Sequence, residues 1–70
     1  MNYIVIELQT NSEGQTSNLA YAYDTLPQAM SKYHAILSAA AVSQVACHGA
    51  MVIDQRCVGI ASERFEHGGE

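Results

Sequence analysis

One helix start, Thr25-Leu26-Pro27-Gln28, divides a 70-residue chain into two arms of strand-like alternation. Thr25 or the preceding Asp24 is the cap. Thr25 with Gln28 three residues on fits a capping box, and Pro27 falls in the first turn, where a missing N–H costs little. The helical period predicts a helix from about Leu26 to about Ala46, ending before Gly49. At 100° per residue Leu26, Met30, Tyr33, Leu37 and Ala40 form one stripe, flanked by Ala29, Ile36 and Ala41. That stripe is expected on a sheet.

Residues 3–10 read as a strand with Tyr3, Val5, Glu7 and Gln9 on one face and Ile4, Ile6, Leu8 and Thr10 on the other. The second row is the cleaner apolar one, so it is expected to face the core. Residues 11–16, rich in polar side chains and carrying Gly14, read as a turn. Residues 17–23 return as the second strand of a hairpin, alternating Leu19, Tyr21 and Tyr23 with Ala20 and Ala22. Residues 48–54 and 57–65 form a second hairpin that turns through Asp54-Gln55-Arg56, with both faces half apolar. The predicted fold is α+β, a ββαββ domain over residues 1–65. Its four-stranded, mainly antiparallel sheet carries one helix on one face, and residues 66–70 form a flexible tail.

A chain this short buries only roughly 60% of the surface that its unfolded form exposes, so something must supplement the core. Only 14% of the residues are charged, against roughly 25–35% on an ordinary surface. The shortage predicts that another subunit covers part of the chain. Two surfaces are candidates. The far side of the helix gathers Ala35, Ala39, Val42 and Ala46, and Lys32 is the only charged residue in the predicted helix. Two readings of that side stay open: alanine chosen for helix propensity, or a second buried face. The sheet face away from the helix is expected to show Tyr3, Val5, Gly59, Ala61 and one or more tyrosines of the second strand. An apolar patch of that kind usually marks an interface. The candidate contact residues are therefore Tyr3, Tyr21, Tyr23, His34, Ala35, Ala39 and Val42. Tyrosine joins an apolar ring to a polar tip and is enriched at interfaces, although packing in a small sheet also accounts for it.

Net charge is −4 with three basic residues, Lys32, Arg56 and Arg64, which argues against direct nucleic-acid binding. The carboxylates are scattered rather than clustered, which argues against nucleic-acid mimicry. No apolar run approaches the ~20 residues of a membrane span. The first residues lack a basic segment and reach Glu7 early, unlike a signal peptide. The expected compartment is the cytoplasm, with Cys47 and Cys57 as free thiols. The predicted hairpin also holds them roughly 20 Å or more apart, too far for a disulfide.

No catalytic, cofactor or metal motif is legible. Cys47, His48 and His67 could gather at one end of the sheet, but zinc sites usually show ligand pairs at short spacing. Cys47 and His48 are adjacent on a strand, so their side chains leave on opposite faces and cannot act as a thiolate–imidazole pair. His34 has no partner pattern around it, and no glycine-rich phosphate loop opens the helix.

The segments Tyr3-Ile4-Val5-Ile6-Glu7-Leu8-Gln9-Thr10 and Ser31-Lys32-Tyr33-His34-Ala35-Ile36-Leu37-Ser38-Ala39-Ala40-Ala41-Val42-Ser43 resemble small orphan proteins of phages and prophages of gut Firmicutes. The resemblance covers most of the chain and brings no activity or functional residue with it. It implies a viral protein acting in the host cytoplasm, of a class that often blocks host defence proteins or sequesters their signals. Three functions are in view: a non-enzymatic, homo-oligomeric binding module for a host protein or small ligand; a virion or assembly component; and a small Cys/His metal protein or enzyme. The first is the expected one, with no cofactor and with the chain itself as first partner.

Overall fold

The computed structural model describes residues 2–42 and 45–66. The elements run β1 Tyr3–Thr10, β2 Thr16–Tyr23, α1 Leu26–Ala41, β3 Cys47–Asp54 and β4 Gly59–Glu66. The strands form one sheet in the order β2-β1-β3-β4, with every neighbouring pair antiparallel. The molecule is a two-layer slab of 40 × 20 × 15 Å. The ββαββ reading stands as expected; β4 runs on through Glu66, and residues 67–70 of the expected tail lie outside the described residues.

Helix α1 starts where its cap dictates. Thr25 has extended backbone angles, and its side chain accepts a hydrogen bond from the Gln28 N–H at 3.4 Å. Pro27 follows in the first turn. The helix stops at Ala41, five residues before the expected Ala46. Val42 closes it, its N–H directed to the carbonyls of Ala39 and Ala40. A helix through Ala46 would run directly into β3, which begins at Cys47 and pairs with β1. That pairing overrides the helix propensity of Ala46.

The sheet face under the helix is the opposite of the one expected. Val5 and Val52 are fully buried, and they pack with Ala29, Tyr33, Ile36 and Ala50; Tyr3, Tyr21, Tyr23 and Ala61 close around them. Side chains alternate along a strand, so Ile4, Ile6, Leu8 and Thr10 lie on the uncovered face. Topology supplies the reason. Strands β2 and β3 are parallel, with β1 between them, so α1 is a crossover between parallel strands. Such crossovers are right-handed almost without exception. For a given strand order that rule leaves one side of the sheet for the helix, and the pairing register, with Val5 opposite Tyr21 and Val52, sets which row of β1 stands on that side.

Two local features fix the second hairpin. Buried Asp54 accepts hydrogen bonds from the N–H groups of Arg56 (2.8 Å) and Val58 (3.2 Å) and pairs with the Arg56 guanidinium at 2.8 Å. Cys57 takes the left-handed angle that the turn requires, φ 65°. Further along, Gly49 faces Arg64 across β3 and β4. A Cβ on Gly49 would meet the Glu63 carbonyl oxygen at 2.6 Å and the Arg64 Cβ at 2.8 Å, so glycine is what lets β4 approach. Gly49→Ala is expected to cost roughly 1–3 kcal/mol through overpacking. A lowered midpoint in urea with an unchanged slope would check it; an unchanged midpoint would contradict the close approach.

Candidate functional site

Besides Asp54 in its turn, the helix-facing side carries a buried polar group at His48. His48 on β3 is buried, and its Nε2 donates to Glu7 Oε2 on β1 at 2.7 Å. Gln9 Nε2 donates to the same oxygen at 3.1 Å. Burial works to raise the Glu7 carboxyl, but the hydrogen bonds from His48 and Gln9, with the charges of His48 and Lys32, outweigh it and hold Glu7 below its ordinary value. His48 Nδ1 is buried without a hydrogen-bond partner. Cys47, its chain neighbour, is paired with Thr10 and Glu66 and lies on the other face. Among the described residues the dyad thus has a carboxylate and an imidazole with no nucleophile bonded to them. What it can do is tie β1 to β3.

Tyr33 is buried between helix and sheet, and burial with the Glu63 carboxylate raises its phenol above the ordinary value. Lys32 lies with its Nζ 4.2 Å from the centre of the Tyr21 ring, so the only charge of α1 covers the flank of the core. No group of three His, Cys, Asp or Glu side chains is placed to hold a metal ion among the described residues. His67 of the Cys47, His48 and His67 set lies outside them. Nor is any helix long and apolar enough to cross a membrane among the described residues.

The residues expected on contact surfaces fall into separate places. Tyr3, Tyr21 and Tyr23 are half-buried beneath the helix and pack on the core, which corrects their expected position on the outer sheet face. Val5 and Ala61 are corrected with them. His34 is exposed, its ring 5.4 Å from that of Tyr33 in an edge arrangement. Ala35 and Ala39 are exposed on α1; Val42 is 82% exposed at its end. Ala41, expected on the sheet side, is exposed too. Ala46 lies beyond the helix and is half-buried. Of the expected residues, Tyr23 and Ala35 line one hollow together, a shallow one of about 540 Å³ beside Pro27 and Lys32.

The uncovered sheet face was expected, but most of the residues that form it differ from those expected. Its side chains stand in four cross-sheet rows, each read from β2 to β4. Ala22, Ile4, Ile53 and Gly59 form the first, and Ala20, Ile6, Met51 and Ser62 the second. The third is Asn18, Leu8, Gly49 and Arg64; the fourth is Thr16, Thr10, Cys47 and Glu66. The face grades from apolar at one end to polar at the other. Leu8 is 40% exposed, as is Ile60 in the bulge opposite Val52 and Ile53. Around Gly49 the face dips into a hollow of about 490 Å³, bordered by Leu8, Cys47, Met51 and Arg64. The signal is present in the alternation of β1, whose Ile4, Ile6 and Leu8 row is the more apolar one.

No family model, curated protein or solved structure matches the chain.

The lowered carboxyls of Glu7 and Asp54 set an expected acid dependence. At Asp54 the Arg56 side-chain hydrogen bond is the main cause, opposed by burial and aided by the N–H groups of Arg56 and Val58. A carboxyl held lower in the folded than in the unfolded chain contributes stability above its unfolded value, and loses it as pH falls through the folded one. Stability should therefore decline below about pH 4. Glu7→Gln should flatten that decline while lowering stability at neutral pH, as read from urea unfolding at a series of pH values.

Proposed function

We propose that this protein is a non-enzymatic binding module that works as a homo-oligomer. One observation carries the reading: the most apolar row of β1, Ile4, Ile6 and Leu8, stands with Met51 and Ile53 on the face that no helix covers. Contiguous apolar patches of this kind mark interaction surfaces. The covered core is small as well, with Ala29, Ala40 and Ala50 among the seven hydrophobic residues that are buried in the described part of the chain. A thin core and an open apolar face point to the same remedy, association.

The described side chains favour binding over catalysis. The one buried imidazole is held by Glu7, and the thiol next to it in the chain lies on the opposite face. The resemblance of residues 3–10 and 31–43 to phage proteins extends the proposal to a viral setting. There the assembled module would bind and inhibit a host defence protein or sequester a small signalling ligand.

Sedimentation equilibrium provides the test. The mass at micromolar concentration is expected to be a multiple of the 7.6 kDa chain and to fall on dilution. A single 7.6 kDa species at every concentration would overturn the reading.

A further inference from the structure

From the grading of the open sheet face we infer that its occupant is a second copy of this chain, packed face to face about a two-fold axis running along the strands, between β1 and β3. The inference rests on the oligomeric reading above and names its geometry.

Two facing copies related by a two-fold axis must have that axis in the plane between them. Aligned sheet packing keeps strand directions within about 30° of each other, so the axis runs either along the strands or across them. The rows decide between these. An axis across the strands sets the apolar first row against the polar fourth, Ile4 and Ile53 against Thr10 and Cys47. An axis along the strands sets each row against itself, and apolar meets apolar.

The order β2-β1-β3-β4 is symmetric about the line between β1 and β3, so rotation there lays β1 over β3 of the second copy. Ile4 then opposes Ile53, Ile6 opposes Met51, and Leu8 opposes Gly49. The last pair is complementary in shape. Leu8 projects beside the hollow in which Gly49 supplies no side chain, and each copy has one of each. Polar partners match too: Asn18 on β2 meets Arg64 on β4, because both stand in the third row.

The area suffices. Four strands ~4.8 Å apart and eight residues at ~3.3 Å give a footprint of roughly 19 × 26 Å, about 500 Å² before side-chain relief is counted. Specific interfaces begin at about 600 Å² per partner. The edges compete for the same role, since β2 carries no charged residue between Thr16 and Tyr23. Edge pairing, however, would leave Ile4, Ile6 and Met51 open to water.

The test pairs a distance with a mass. Spin labels at Glu13→Cys, in a Cys47→Ser and Cys57→Ser background, mark the exposed β1–β2 loop. With the axis along the strands both loops lie at one end, and the label separation is expected within about 25 Å. An axis across the strands, or antiparallel β2–β2 edge pairing, puts the loops at opposite ends, beyond about 35 Å. Leu8→Asp should weaken association more than about tenfold, while Ala39→Glu on the helix leaves it unchanged. An oligomer with only the long distance, or one that Leu8→Asp does not weaken, overturns this geometry and leaves the oligomeric reading standing. A monomer at every concentration overturns both.

Discussion

A single helix can cover one face of a four-stranded sheet, and the rest of this structure follows from which face it takes. The choice belongs to the chain's route together with the pairing register of β1. Because β1 lies between the parallel strands β2 and β3, the handedness of the crossover decides on which side of the sheet α1 lands, and the register of β1 decides which row meets it. It lands on the row of Tyr3, Val5, Glu7 and Gln9. The consequences are a small core with Val5 and Val52 at its centre and an open face that holds the longer aliphatic row.

Polar residues on the covered row are made tolerable by each other. Glu7 would be a poor neighbour for a buried helix, since an unpaired buried carboxylate is costly. His48 and Gln9 bond to it, and Lys32 adds a favourable charge. The same economy appears at the far end of β3, where Asp54 is buried but collects the N–H groups of its own turn and the Arg56 guanidinium. Both ends of β3 are thus pinned by a carboxylate, one bridging to β1 and one organising the turn into β4.

Much of the architecture was legible in the chain. Period-two runs on either side of one capped helix gave the element order, and Thr25 with Pro27 placed the helix start. The helix end was not legible, because Val45 and Ala46 are compatible with helix and the limit is set by β3, which begins at Cys47. The face of β1 was not legible either. Reading the cleaner apolar row as core assumes that apolarity alone orients a strand, and that fails when the strand order is unknown and polar side chains can pair across it. Glu7 and His48 are 41 residues apart, and nothing local joins them. The expected outer-face tyrosines failed for the same reason, since Tyr21 and Tyr23 follow Tyr3 and Val5 across the hairpin and turned inward with them. What survives is the prediction of an uncovered apolar face, now with different residues on it.

The central claim, that the Ile4 and Ile6 row is open in the single chain and covered by association, can be read from isoleucine methyl relaxation in the presence of a dissolved paramagnetic agent. The account predicts that the methyl groups of Ile4, Ile6 and Ile53 are shielded at high protein concentration and become exposed on dilution. Ile36, beneath the helix, should stay shielded throughout. Strong relaxation of Ile4 and Ile6 at the highest concentration, with no change on dilution, would contradict it.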